Sequence, residues 1–123
     1  MTLDHIGFAV ADFAKSRDFY TQALAPLGIA IVMSGDSYAG MGRDGRAQFW
    51  FNAGQPDSGG THIAFAADDR AQVRAFHAAA LAAGGKDNGG PGLRPQYHPN
   101  YYGAFVIDLN GHNIEAVCHK PEG

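Results

Sequence analysis

One stretch of this chain occurs twice, and a repeat fixes architecture before any local propensity is weighed. It reads His-Ile-Gly-Phe-Ala-Val-Ala-Asp from His5 to Asp12 and His-Ile-Ala-Phe-Ala-Ala-Asp-Asp from His62 to Asp69. The likeness runs on without a gap. Arg17, Phe19, Ala23, Leu24, Ala25 and Gly28 return as Arg74, Phe76, Ala80, Leu81, Ala82 and Gly85. A chain of 123 residues holds one compact core. Here that core must be built from two copies of one module, each opening on a segment that carries a histidine.

Period-two alternation makes the first segment, Leu3 to Val10, a strand. Ile6, Phe8 and Val10 share a bulky face, and His5, Gly7 and Ala9 share a small one with a single polar group. Asp12 caps a helix running from Phe13 to about Ala25, with Phe19, Tyr20, Ala23 and Leu24 at helical spacing. Pro26 and Gly28 end it. Short strands follow at Ile29 to Met33, Tyr38 to Met41 and Ala47 to Asn52, with Asp44-Gly45 as a hairpin turn. The first module, residues 1–53, is therefore β-α-β-β-β. Residues 54–60, rich in Gly, Pro, Asp and Ser, form the linker.

The second module spans residues 61–119. Thr61 to Ala67 repeats the first strand, with His62, Ala64 and Ala66 on its small face. Asp68 or Asp69 caps a helix striped by Val73, Phe76, Ala80 and Leu81. The next strand is poorly defined: Lys86 to Asn100 is rich in Gly and Pro and carries about ten residues more than the first module, a size typical of functional surface loops. Tyr102 to Leu109 and His112 to His119 are the closing strands around Asn110-Gly111. On the last strand Asn113, Glu115 and Val117 share one face. Ile114, Ala116 and Cys118 share the other, so Cys118 is expected to be buried and structural.

Two modules related by a pseudo-two-fold axis would turn His5 and His62 toward a shared cleft, with Glu115 beside them. Two imidazoles and a carboxylate form a facial set for a divalent transition metal. Small neighbours on the same faces leave room for an ion and a ligand. His77, His112 and His119, on a helix, in a turn and at the tail, have the ordinary surface or core placement. Arg94, Tyr97, His98, Tyr101 and Tyr102 stand in or beside the Gly-Pro loop, where substrate contacts concentrate.

The formal net charge of −3 offers no basic footprint for nucleic acid. No apolar run is long enough to span a bilayer, and no signal peptide is legible at Met1. One cysteine suits a reducing, cytoplasmic setting.

The paired modules, His5 before Ile-Gly-Phe-Ala-Val-Ala-Asp, Arg17-Asp-Phe-Tyr20, His62-Ile-Ala-Phe and Asp108-Leu-Asn-Gly-His-Asn-Ile-Glu115 resemble the vicinal oxygen chelate superfamily. That superfamily includes glyoxalase I, bleomycin-resistance proteins, fosfomycin-resistance enzymes and ring-cleaving dioxygenases. The resemblance implies an α+β fold in which the two modules form a paired β-cup, commonly in a homodimer. It also implies one divalent metal (zinc, nickel, manganese or iron) on the residues matching His5, His62 and Glu115. Glyoxalase I has a fourth ligand on the last strand of its first module. Here Gln48, Phe49 or Trp50 stands opposite Glu115, and only Gln48 could ligate, its other role being a pocket wall; Trp50 is a candidate substrate contact.

The expected activity is that of a glyoxalase-like lyase or isomerase on a small substrate with vicinal oxygens, with Glu115 and Gln48 as its catalytic groups. The alternatives are a metal-free antibiotic-binding protein and a fosfomycin-type thiol transferase.

Overall fold

In the computed structural model, residues 3–56 and 61–121 are described. Residues 57–60 of the expected linker lie outside the described residues, as does the end of the tail at 122–123. The first module runs β1 (Ile6–Val10), α1 (Phe13–Leu24), a single 3-10 turn at Ala25–Leu27, β2 (Ala30–Ser34), β3 (Tyr38–Gly42) and β4 (Phe49–Ala53). The second runs β5 (His62–Ala66), α2 (Arg70–Ala82), β6 (Lys86–Leu93), β7 (Tyr102–Ile107) and β8 (Asn113–Cys118). The strands form two four-stranded mixed sheets, ordered β1-β4-β3-β2 and β5-β8-β7-β6. Neither sheet closes into a barrel. Among the described residues no helix is long and apolar enough to cross a membrane.

Both helices begin where an aspartate can satisfy an orphan backbone donor. Asp12 accepts from Lys15 N and Asp69 from Gln72 N, which settles the second cap on Asp69. The Asp44-Gly45 turn has both residues at positive φ, 54° and 76°, as a tight hairpin turn requires. The poorly defined strand of the second module is β6, Lys86 to Leu93, paired with β7 through register shifts at Asp87/Gly89 and Gly89/Gly92. Its glycines conceal it, because glycine carries no strand preference. The irregular segment shrinks to residues 94–101.

The core lies between the two helices and one face of each sheet. Phe8, Val10, Phe19, Tyr20, Phe49, Phe51, Phe76, Val106 and Ile114 are all buried there, and α1 packs on α2. Cys118 belongs to the same core, at 1% exposure. Each sheet's other face, the one with the small residues, is left free of helices.

The seam between modules is polar as well as apolar. The turn joining β7 to β8 reaches into the first module. Tyr20 donates its hydroxyl to the buried Asp108 carboxylate, which also accepts from Asn110 N and His112 N, both at 2.8 Å. Burial, then the neighbouring Asp108, pushes the Tyr20 phenol well above its ordinary range, so the proton stays on Tyr20. The Asn110 side chain accepts from Ala11 N at 3.0 Å and donates to Ser16 Oγ at 3.2 Å. His112 is fully buried and stacks on Phe8 with ring centroids 4.3 Å apart. It is therefore a core residue of the seam.

Tyr20→Phe should remove one hydrogen bond to a buried carboxylate and leave the packing intact. The expected loss is about 2 kcal/mol of unfolding free energy, read as a lower urea midpoint with unchanged slope. An unaltered midpoint would mean that the bond does not hold the seam.

Candidate functional site

Parallel pairing places His62 opposite Asn113 and Ala64 opposite Glu115, so their side chains share the helix-free face of the second sheet. Phe105 is the antiparallel partner of Glu115 and joins the same face. The three strands β5, β8 and β7 thus present His62, Asn113, Glu115 and Phe105 together.

Glu115 is 1% exposed yet has a partner for each oxygen. Its Oε1 lies 3.0 Å from His62 Nε2, and its Oε2 accepts the hydroxyl of Tyr101. His62 Nδ1 lies 3.0 Å from the Asn113 carbonyl oxygen. A carbonyl only accepts, so Nδ1 carries the hydrogen and Nε2 faces the carboxylate. In the neutral ring that nitrogen offers a lone pair to a carboxylate oxygen. Such a contact needs a hydrogen shared between Nε2 and Oε1, or a metal ion in its place. An imidazole nitrogen and a carboxylate oxygen are both ligand types for a divalent ion, so the pair would also suit a metal.

Space for the carboxylate comes from Gly103. A Cβ there would stand 3.1 Å from Glu115 Oε2 and 3.2 Å from the Tyr101 ring. Burial, followed by the hydrogen bond to Glu115 and its charge, raises the Tyr101 phenol above its ordinary value. Tyr101 is therefore held as a donor at neutral pH.

The first module builds the matching face differently. Gly7 pairs with Trp50, where Ala64 pairs with Glu115 in the second module. Trp50 thus occupies the position equivalent to Glu115. Its indole lies over Gly40, where a Cβ would come within 2.8 Å of the ring, and beside Tyr38, with ring centroids 6.5 Å apart. Gln48 falls one step before β4. It lines a cleft of about 410 Å³ between the modules, together with His5, His62, Ala64 and Ala66. His5 is largely exposed and bonded to Asp4 at 2.7 Å. Among the described residues no three of His, Cys, Asp and Glu are grouped to hold a metal ion. One chain therefore brings His62 and Glu115 together and leaves His5 elsewhere in the cleft.

The loop residues divide. Arg94 lies over the Phe105 ring, 5.4 Å from its centroid, and Tyr101 touches Glu115. Tyr97 is exposed and packs edge-on against Tyr101, and His98 packs against His119. Tyr102 pairs with Cys118 on the opposite face, beneath Arg70 and Arg74 of α2. His77 contacts Asp87 at 3.0 Å, away from the cup. Phe105, Asn88 and Gly103 are the site residues not singled out from the sequence. Asn88 donates to the Asn113 side chain at 3.3 Å. For Phe105 the signal was present, since counting back from Asn110-Gly111 places it opposite Glu115.

Over residues 2–116 the chain matches the family model described as the Glyoxalase/Bleomycin resistance protein/Dioxygenase superfamily. A glyoxalase/bleomycin resistance protein from Albidiferax ferrireducens T118 is 30% identical, with a TM-score of 0.80 over 95% of this chain and 97% of that one. A glyoxalase/bleomycin resistance protein/dioxygenase family enzyme from Burkholderia phytofirmans PsJN shares the fold at 16% identity, with a TM-score of 0.74 over 98% of this chain and 100% of that one. A glyoxalase-related enzyme from Fulvimarina pelagi does so at 17% identity, with a TM-score of 0.75 over 96% and 88%. No curated protein matches the chain.

Glu115→Gln removes the charge beside Tyr101, so that phenol should ionise at lower pH than in the wild type, while burial still holds it above an ordinary tyrosine. Ultraviolet phenolate titration reads this directly. The difference should vanish in a Tyr101→Phe background. Coincident titration curves for wild type and Glu115→Gln would contradict the contact.

Proposed function

Because the chain belongs to the glyoxalase/bleomycin resistance protein/dioxygenase superfamily, we propose that it is a metal-dependent enzyme acting on a small substrate with neighbouring oxygens. Its cation site is built on His62 and Glu115. The observation that carries this reading is the 3.0 Å approach of His62 Nε2 to Glu115 Oε1, with Nδ1 already engaged by Asn113. A divalent ion held there supplies polarisation of the substrate oxygens.

The chain's own groups do the rest. The Asn113 carbonyl fixes the His62 ring and its tautomer. Tyr101 holds Oε2 of Glu115 and keeps its own proton. In a lyase or isomerase of the glyoxalase type, Glu115 would take a proton from one carbon and return it to the next through Oε1, since Oε2 is engaged by Tyr101. Gln48 contacts the substrate through its amide, while Trp50 and Phe105 form apolar walls.

His5 is the third ligand in this reading. It is exposed and ungrouped within one chain, and the helix-free face of each sheet is open. A homodimer answers both facts, because a two-fold axis brings the first-module face of one copy onto the second-module face of the other. His5 of the second copy then meets His62 and Glu115.

One observation favours a second reading, metal-free capture of an aromatic small molecule. Trp50, backed by Tyr38, fills in the first module the position that Glu115 fills in the second. Metal uptake separates the two readings. Wild type reconstituted with nickel or zinc and then desalted should retain one ion per site. His62→Ala should retain none, and Gln48→Ala should lose less than His62→Ala. If wild type and His62→Ala both retain no metal, the enzyme reading fails and the aromatic-binding reading replaces it.

A further inference from the structure

The glycine run of β6 has a use that its poor strand propensity does not suggest. Gly89 pairs with Phe105 and Gly92 with Gly103, so both present their missing side chains on the Glu115 face. Arg94 borders both positions, sharing the first with the Phe105 ring, whose Cδ1 would stand 3.0 Å from a Cβ at Gly89. A Cβ at Gly89 would stand 3.2 Å from Arg94 Nη2, and one at Gly92 would stand 3.1 Å from Nη1. The guanidinium thus lies along the strand. It is pinned by a 2.8 Å bond from Nη2 to the Gly90 carbonyl and lies over the Phe105 ring. Gly103, the neighbour of Gly92, is the residue over which Glu115 Oε2 and Tyr101 meet. Adjacent strands are about 4.8 Å apart, so Arg94 stands one strand away from the candidate cation site. No carboxylate of the described residues pairs with it at ion-pair distance.

An arginine is costly to fix in place, because its long side chain loses rotamer freedom. Here a backbone carbonyl, an aromatic face and two glycine gaps hold it in the cup. Of its five N–H donors, one is matched to Gly90, which leaves a pair for two parallel bonds to a planar carboxylate. We propose that Arg94 is the anion-recognition residue of the cup, and that the substrate carries a carboxylate besides the oxygens offered at His62 and Glu115. Arg94 acts in this way beside the cation site proposed above, so the substrate class named here presumes that site.

The test uses the nickel-loaded full chain and two probes that differ by one carboxylate, 2-oxoglutarate and 2-oxopentanoate. Calorimetric titration of the wild type should show the diacid binding about tenfold or more tightly, the expected worth of a charge-assisted bidentate contact. Arg94→Ala should abolish that preference by weakening the diacid alone, with nickel content unchanged, and Arg94→Lys should keep part of it. Equal binding of the two probes by wild type, or no binding of either, overturns the proposal. So does a preference that survives Arg94→Ala. Equal weakening of both probes in Arg94→Ala also overturns it, since Arg94 would then be only a counter-charge to Glu115. If the wild type holds no nickel, the cation-site reading fails separately. The same pair titrated without metal then decides Arg94 alone: a preference lost in Arg94→Ala supports it, and no preference rejects it.

Discussion

The site depends on a turn. Asp108, buried at the start of the β7–β8 connection, receives the Tyr20 hydroxyl from α1 and two backbone N–H groups from its own turn. The same carboxylate therefore closes the hairpin and docks it on the other module. Gly111, at φ 88°, lets the chain turn into β8 without strain. From that fixed point β8 runs in one register against β5 and β7, and that register aims Glu115 into the cup. A slip of one residue would send Glu115 into the core and Ile114 into the cup. The stretch Asp108-Leu-Asn-Gly-His-Asn-Ile-Glu115 thus holds a latch at one end and a ligand-type carboxylate at the other. Asn110 and His112 strengthen the latch, the first through Ala11 and Ser16, the second by stacking on Phe8.

The two modules share a backbone plan and differ in what their open faces carry. Where the second has Glu115 over Gly103, the first has Trp50 over Gly40. In both cases a glycine on the neighbouring strand makes room for the larger group. One face is polar and charged, the other aromatic. A cup formed from both would set a charged half against an aromatic one, an arrangement suited to a small molecule with an oxygen-rich end and an apolar body.

The repeat made much of this legible. It placed both opening strands, both helices and their aspartate caps, and alternation placed Glu115 with Asn113 and Cys118 in the core. Two things escaped. Strand β6 was hidden because Asn88-Gly-Gly-Pro-Gly carries no strand signal; only the pairing with β7 and the Arg94 side chain laid along it explain those residues. The partner of Glu115 in the first module stayed open among Gln48, Phe49 and Trp50. Counting from the Asp44-Gly45 turn fails there because residues 46–48 lie between the turn and β4. Parallel pairing with β1 sets the register instead, and it selects Trp50. Tyr101 and Tyr102 were grouped as one pair of rings, but adjacent residues point to opposite faces, so one reaches Glu115 and the other reaches α2.

The proposed function depends on the close approach of His62 to Glu115 being a cation site. The most direct measurement is an anomalous-difference map from crystals grown with nickel or manganese. A peak is expected within bonding distance of His62 Nε2 and a Glu115 carboxylate oxygen, with His5 of a second copy completing the set. No peak at His62 and Glu115, under conditions where the metal is present in excess, would contradict it.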